Sequence, residues 1–190
     1  MRCILCEKLS FKGVCKSCLT KLLMQNRRTR VLDSGLKVYS FFSYDSIALI
    51  LHVKHRFWGH RILKQIAKET FGKFAKEFEF SSPIYAIGID DRVDDNYSHT
   101  AILVNAIKSK NIKPLYKVLR AKNSVKYSGK SYEYRRKNPR KFQLNKKCKS
   151  SVILIDDIIT SGQTLDEAFQ ILKKESIDVL FALTLADAKN

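Results

Sequence analysis

The chain has 190 residues, of which 45% are hydrophobic, so it is long enough for one ordinary domain with a small appendage and too short for two full catalytic domains. Only 7 Gly and 3 Pro accompany 11% aromatic residues, a composition that disfavours intrinsically disordered and fibrous proteins. The 36 Lys and Arg residues against 18 Asp and Glu leave a net charge of +18, which predicts an anionic partner.

Four of the five cysteines come first along the chain, at Cys3, Cys6, Cys15 and Cys18. They form two Cys-x2-Cys knuckles, and four thiolates at about 2.3 Å satisfy the tetrahedral preference of zinc with no position left for water. The pattern predicts a structural zinc site in an N-terminal module too small to fold on its own core. A redox dithiol or unrelated buried cysteines are the alternatives, and Cys148 is not expected to be a ligand.

The N-terminal residues lack the basic and apolar regions of a secretory signal. No apolar run approaches the roughly 18 residues that span a bilayer. We therefore expect a cytoplasmic protein without a transmembrane segment, where reducing conditions favour metal binding by clustered cysteines over disulfides.

Hydrophobic periodicity after the cysteines predicts strands that alternate with helices. A strand at residues 39–44 leads into a helix near 47–52, and one amphipathic helix covers 60–80. Strands are then expected at 84–89, 115–119, 152–155 and 179–185, and helices at 98–108 and 164–174. This alternation is typical of a doubly wound parallel α/β sheet. The expected domains are 1–36, the zinc knuckle and linker, and 37–190, the α/β domain.

About 31 residues with little periodicity separate the strands at 115–119 and 152–155, a length typical of binding loops or lids. The positive charge concentrates there, because residues 108–149 contain 16 basic residues and one acidic residue. Residues 150–190 contain 3 basic and 7 acidic residues. We call residues 120–150 the basic segment and expect it to meet the anionic partner.

The sequence of residues 152–164 is Val-Ile-Leu-Ile-Asp-Asp-Ile-Ile-Thr-Ser-Gly-Gln-Thr. A buried strand, two acids and a hydroxyl-rich turn precede a helix, whose free N–H groups and dipole favour a bound phosphate. Thr160, Ser161 and Thr164 add hydroxyl donors, and Gly162 lets the backbone approach closely. The two acids would repel a phosphate and instead suit hydroxyl groups or Mg²⁺ beside it. An acidic turn with capping hydroxyls is the alternative.

This run resembles the phosphoribosyl diphosphate (PRPP) motif of type I phosphoribosyltransferases, with two acids between hydrophobic residues followed by Thr-x-Gly-x-Thr. It lacks the Gly-Lys-Thr/Ser of a Walker loop, so ATP hydrolysis is not favoured. The resemblance implies the type I phosphoribosyltransferase fold. It also implies that Asp156 and Asp157 are catalytic, facing the ribose hydroxyls with Mg²⁺, and that the 5-phosphate is bound by Thr160, Ser161, Gly162, Gln163 and Thr164.

Nearly the whole chain is similar to the competence protein ComF family. The similarity includes the knuckles, residues 39–44, the stretch Lys54-His55-Arg56-Phe57-Trp58-Gly59, residues 152–164, and Arg135-Arg136-Lys137-Asn138 followed by Phe142. That family joins a zinc module to a phosphoribosyltransferase-like domain and is associated with uptake of single-stranded DNA in natural transformation. The resemblance implies PRPP, single-stranded DNA and DNA-uptake proteins at the inner face of the membrane as partners.

One loop departs from the family's pattern. Where relatives usually carry prolines and an Arg-Gly-Phe-Asn-Gln-like stretch, residues 90–95 read Asp-Asp-Arg-Val-Asp-Asp. In the enzymes this loop holds pyrophosphate, which the four aspartates would repel unless Mg²⁺ bridges them. Arg92 is the residue of this loop that we expect to act in catalysis, on the leaving group.

Two uses compete for the basic segment. As a lid, it would bring Lys126, Lys130, Arg135 and Arg136 to pyrophosphate and exclude water. As a DNA-binding surface, it would set these cations beside rings on which unpaired bases stack, with Tyr127 and Tyr132 among them. Arg27, Arg28 and Arg30 would extend such a DNA track. A solvated loop whose lysines serve solubility is the third interpretation.

We therefore expect a ComF-like competence factor that binds PRPP with Mg²⁺ and incoming single-stranded DNA in the cytoplasm. One alternative is a PRPP-dependent phosphoribosyltransferase of nucleotide salvage or amide transfer. Another is a non-catalytic DNA-binding module regulated by PRPP.

Overall fold

Apolar strands and amphipathic helices alternate along the chain in the structure, a computed structural model that describes residues 2–54, 56, 58–89, 98–123, 132–146 and 148–189. For Tyr132, Arg135 and Arg136 it describes the backbone only. The helices are α1 (Lys16–Leu23), α2 (Tyr44–Val53), α3 (Gly59–Glu69), α4 (Phe71–Glu77), α5 (His99–Ala106), α6 (Tyr132–Lys137) and α7 (Gln163–Lys174). The strands are β1 (Arg28–Val31), β2 (Lys37–Ser43), β3 (Ile84–Gly88), β4 (Ile112–Leu115), β5 (Leu119–Ala121), β6 (Phe142–Leu144), β7 (Val152–Ile159) and β8 (Val179–Asp187).

Six of these strands form one sheet in the order β1-β2-β8-β7-β3-β4. All neighbours are parallel except β1, which pairs antiparallel with β2. The first four residues of β7 are fully buried because helices cover both faces of the sheet. One core cluster joins the sheet to α2, α3, α4 and α5, and a second joins its other face to α7. The predicted parallel α/β sheet is confirmed.

The connections leave β3 and β7 in opposite directions. From β3 the chain passes through α5 to β4, on one side, whereas from β7 it passes through α7 to β8, on the other. In open α/β sheets, the crevice between two such neighbouring strands, at their carboxyl ends, is where ligands bind. The strand order therefore places the residues that follow β7 at the expected ligand-binding edge.

The N-terminal residues pack directly on α3. The Val14 N–H donates to Oε1 of Gln65 at 3.2 Å, and Nε2 of Gln65 donates to the Val14 carbonyl at 2.7 Å. A Cβ atom on Gly13 would lie 2.2 Å from Cγ1 of Ile62, so the glycine permits this close approach. Cys3 and Val14 are buried in the same core cluster as α3. The expected boundary at residue 36 falls in the turn between the paired strands β1 and β2.

Two predicted elements differ from the observed ones. The single helix expected over 60–80 is two helices, because the backbone turns at Thr70 (φ −107°, ψ −81°) and the Thr70 hydroxyl donates to the Ile66 carbonyl at 2.8 Å. The strand predicted at 115–119 is wrong. Lys117 has φ +58° in a turn that ends β4 and starts β5, which belongs to a separate two-stranded sheet with β6.

Within the described ranges, no helix combines the length and apolar character needed to cross a membrane.

Candidate functional site

Four cysteines form the one cluster of three or more potential metal ligands among the residues that the structure describes. The Sγ atoms of Cys3, Cys6, Cys15 and Cys18 all lie within 4.8 Å of one another. The Cys6 and Cys15 sulfurs are 3.7 Å apart, and a tetrahedral zinc ion with bonds of about 2.3 Å requires sulfurs about 3.8 Å apart. The cluster therefore fits a four-coordinate metal ion.

Two cysteines of this cluster have pKa values that are shifted in opposite directions. Burial opposes ionisation of Cys3, yet backbone N–H groups of Cys15, Leu5 and Cys6 lower its pKa to about 6. Hydrogen bonding with the thiols of Cys6 and Cys15 raises the pKa of Cys18 to about 12. Without a cation Cys18 therefore keeps its proton at neutral pH, and metal binding would release it.

Strand β7 continues beyond the four apolar residues expected to form it. The partner β3 stops at Gly88, opposite Ile155, whereas β8 pairs with β7 as far as Ile159 and Asp187. Asp156 and Asp157 therefore lie inside the strand and beyond the end of β3, where β8 is the neighbour of β7 among the described strands. Because successive side chains of a strand alternate in direction, the two carboxylates approach opposite faces of the sheet.

Asp157 forms an ion pair with Lys54, the residue that follows α2. In the sequence, Lys54 belongs to the stretch 54–59 that resembles the ComF family, but it was not predicted to meet the acids. The side chains of Asp157 and Lys54 are 12% and 13% exposed, so the pair is largely shielded from water. The two residues are 103 positions apart along the chain. No local pattern could have joined them, because the contact depends on how α2 packs on the sheet.

The carboxyl group of Asp156 has a strongly raised pKa. Burial and the neighbouring Asp157 charge raise its pKa to about 8, against the lowering effects of the Asp157 N–H, Lys54 and Arg140. The N–H of Asp157 donates to Oδ1 of Asp156 at 2.8 Å. A cation or a set of hydroxyl donors beside Asp156 would restore the ionised form.

We expect Asp156→Asn to raise the thermal stability of the protein by an amount that grows with pH. The raised pKa means that Asp156 contributes stability below about pH 4, which is lost as the pH rises through about 8. Asparagine does not titrate, so the variant should gain about 3 kcal/mol relative to the wild type at pH 9 and little at pH 4. Thermal unfolding across this range measures the difference. Asp178→Asn, an exposed position before β8, is the control, and equal behaviour of both variants would contradict the expectation.

The loop between β7 and α7 is shaped by Gly162. Its φ of +86° is in the left-handed region that favours glycine, and a Cβ atom there would lie 2.6 Å from Cδ2 of Leu32. The Ser161 hydroxyl accepts a hydrogen bond from the Gln163 N–H at 3.4 Å. The predicted phosphate-binding residues 160–164 thus form the tight turn that opens α7, next to the turn between β1 and β2.

The end of the basic segment lies against α7. The backbone N–H groups of Arg140 and Phe142 donate to the carboxylate of Glu167 on α7, at 2.9 and 3.3 Å. Arg140 is close enough to Asp156 to lower the pKa of that carboxyl. Arg140 is not among the predicted site residues, because nothing in a run of basic residues distinguishes the one that returns to the acids.

Seven further predicted site residues lie outside the side chains that the structure describes. Arg92, Lys126, Tyr127 and Lys130 lie outside the described residues, and Tyr132, Arg135 and Arg136 are described by their backbone in α6. Arg30, predicted as part of a DNA track, has a side chain that is 15% exposed and bonds to Asp187 and to the Thr160 carbonyl.

Comparisons with known proteins give matches in structure only. No protein-family model matches the chain, and no curated protein matches it. A hypoxanthine phosphoribosyltransferase from Staphylococcus aureus is 21% identical with a TM-score of 0.41, over 66% of this chain and 62% of that chain. Orotate phosphoribosyltransferase from Aeropyrum pernix is 18% identical with a TM-score of 0.42, over 90% and 80%. UMP synthase from Leishmania donovani is 17% identical with a TM-score of 0.40, over 91% and 32%. Similarity at these values assigns no ligand to the chain.

Proposed function

We propose that the protein binds PRPP together with Mg²⁺ at the carboxyl end of β7. The observation that carries the proposal is the placement of Asp156 and Asp157 beside the tight turn of residues 160–164, at the point where the sheet connections diverge. The turn offers backbone N–H groups and hydroxyls to a 5-phosphate. The two carboxylates offer acceptors to the ribose hydroxyls, so one ligand with both groups matches the whole edge.

The site also has the donor set that a magnesium–diphosphate ligand requires. Carboxylate oxygens are preferred Mg²⁺ ligands, and the metal would supply positive charge to the diphosphate. Lys54 and Arg140 approach the acids and partly balance their negative charge. In a transfer reaction the bond from ribose C1 to diphosphate breaks, and pyrophosphate leaves with the bonding electrons while an acceptor binds C1. We assign Arg92 to that leaving group.

We propose zinc as the ion of the four-cysteine cluster, because a closed all-thiolate tetrahedron is typical of structural zinc. Residues 1–36 form the proposed metal-binding module, and residues 37–190 form the PRPP-binding domain. The module contributes buried residues to the main core, so the metal would stabilise the whole protein rather than a separate appendage.

The wider role that we propose is that of a ComF-like competence factor in the cytoplasm, which receives single-stranded DNA near the uptake proteins at the membrane. The support is the charge of residues 108–149, with 16 basic residues and one acidic residue, interleaved with tyrosines. Lys126, Tyr127, Lys130, Tyr132, Arg135 and Arg136 are the proposed DNA contacts. Salvage or amide transfer without DNA, and PRPP-regulated DNA binding without catalysis, are the competing functions.

A titration of PRPP, with and without Mg²⁺ and with and without single-stranded DNA, tests the proposal. PRPP should bind only when Mg²⁺ is present, and release of pyrophosphate on addition of a nucleobase, amine or DNA would identify an enzyme. Binding without release, with an affinity that DNA changes, would favour the regulated module. Absence of PRPP binding under every condition would refute the PRPP site.

Binding of single-stranded DNA should weaken about tenfold or more between 50 and 200 mM salt, because each phosphate contact to a single strand releases condensed counterions. Fluorescence anisotropy of a labelled oligonucleotide measures the change. Replacing Lys126, Lys130, Arg135 and Arg136 by Gln should abolish most of this binding. The matched control replaces four exposed cations of α3 and α4, namely Arg61, Lys64, Lys68 and Lys76. Equal losses in the two variants, or a salt-independent affinity, would contradict a DNA surface in the basic segment.

A further inference from the structure

The hairpin of β1 and β2 touches the phosphate-binding turn at three successive points. Arg30 on β1 donates through Nη1 to the Thr160 carbonyl at 2.7 Å. Leu32 packs where a Cβ atom of Gly162 would be. The Ser34 hydroxyl donates to the Asp166 carboxylate in the first turn of α7. The hairpin therefore braces the turn between 160 and 166 from outside.

Arg30 is held firmly in this position. Its Nη2 donates to Oδ1 of Asp187 at 2.6 Å, an ion pair in which the two side chains are 15% and 7% exposed. The same end of β8 is joined to β7, because the Ala188 N–H donates to the Ile159 carbonyl at 2.8 Å. The guanidinium of Arg30 on β1 thus bonds both to the end of β8 and to Thr160, the residue that follows β7 and begins the turn.

This arrangement carries a cost in stability. Nε of Arg30 is buried and has no hydrogen-bond partner among the described residues. A buried donor without an acceptor loses its hydration and opposes folding. A side chain that remained hydrated would avoid this cost. What arginine provides at this position is the hydrogen bond to the Thr160 carbonyl.

The direction of one carbonyl determines the direction of the next N–H. The peptide between Thr160 and Ser161 is planar and trans, so its C=O and N–H point to opposite sides. Arg30 binds the Thr160 carbonyl, and the Ser161 N–H therefore points away from Arg30. If this peptide turned over, a carbonyl oxygen would replace the N–H and repel an anion in the turn.

We propose that Arg30 is a positioning residue that keeps the Thr160–Ser161 peptide oriented for a 5-phosphate ligand. The inference rests on the proposed PRPP function of the turn and adds a residue 130 positions away along the chain. Arg30 acts through the peptide and does not itself touch the ligand. Within the β1–β2 hairpin, Arg30 is therefore the residue that supports the phosphate-binding turn.

Three variants test the inference, with binding of ribose 5-phosphate, PRPP and pyrophosphate measured by calorimetry in the presence of Mg²⁺. Arg30→Gln should weaken ribose 5-phosphate and PRPP about tenfold to thirtyfold, since a charge-assisted hydrogen bond that fixes the turn is lost. Pyrophosphate, which has no 5-phosphate, should bind as before. Arg28→Gln is the matched control, because Arg28 lies on the same strand and donates to the Lys189 carbonyl instead. It removes the same charge and should change each affinity less than about twofold.

Arg30→Lys separates positioning from stability, because lysine retains a cation for Asp187 but lacks the planar fork that binds two partners. It should fold and still bind ribose 5-phosphate several-fold more weakly. Equal affinities for wild type and both Arg30 variants, or equal losses with Arg28→Gln, would overturn the inference.

If the unmodified protein binds none of the three ligands, the proposed function fails instead. Amide hydrogen exchange of residues 160–164 then decides the inference separately. Arg30→Gln should increase this exchange and Arg28→Gln should not, and unchanged exchange in both variants would refute the positioning role.

Discussion

Asp156→Ala is expected to reduce PRPP affinity by about a hundredfold or more while the protein remains folded. The substitution removes a carboxylate that would accept ribose hydroxyls and bind Mg²⁺, and each hydrogen bond to a charged group accounts for about tenfold to a hundredfold in binding. Folding should not suffer, because burial and the Asp157 charge raise the Asp156 pKa to about 8 and make its ionised form unfavourable. The Mg²⁺-dependent PRPP titration measures the effect.

The control for this prediction is Asp178→Asn, which removes a negative charge from an exposed position before β8. Its PRPP affinity should equal that of the wild type. Single-stranded DNA should bind Asp156→Ala as it binds the wild type, since the proposed DNA contacts lie in the basic segment. Loss of PRPP and DNA binding together, or of neither, would contradict two separable sites.

Removal of the metal is expected to destabilise the entire protein, lowering Tm by about 10 °C or more. Without a cation the four sulfurs lose their common bond, and Cys18 retains its proton because its pKa is raised to about 12. The module then releases its contacts with α3, where Val14 and Gln65 exchange two hydrogen bonds. Treatment with a strong chelator and the variant Cys15→Ser should give the same loss in thermal unfolding, together with loss of about one bound metal ion.

Cys148→Ser is the matched control, because Cys148 packs against the core cluster that joins the sheet to α7 and lies outside the four-cysteine cluster. It should retain the metal and most of the thermal stability. If Cys15→Ser has the same Tm as Cys148→Ser, or if the chelator leaves the Tm unchanged, the cluster is not a structural metal site. Elemental analysis of the purified protein then identifies the ion, with zinc as the expectation.

Local sequence patterns predicted most of the sheet. Runs such as residues 152–155 and 179–185 are largely apolar and contain β-branched or aromatic residues, so strands there follow from composition within a few residues. The pattern failed where the chain changes direction without glycine or proline. Thr70 interrupts a continuous apolar stripe, and Lys117 turns the chain at φ +58° in the middle of an expected strand.

The candidate site divides in the same way. The four cysteines lie close together along the chain, and so do residues 156–164. The chemistry of each group can therefore be predicted from residue type and spacing. Lys54, Arg140 and Arg30 reach the site from distant elements. Each is one cation among 36, so composition could not distinguish it.

The sequence by itself thus determined the α/β alternation, the four-cysteine cluster and the acidic strand with its hydroxyl-rich turn, because each depends on residues close together along the chain. Only the tertiary structure decided which cations meet the two aspartates and which hairpin braces the turn. The physical reason is that side-chain contacts between distant elements depend on strand order and helix packing. The structure thus locates part of the excess positive charge. Lys54 and Arg140 lie near the acids, Arg30 lies behind the turn, and the basic segment is hydrogen-bonded to α7 at Arg140.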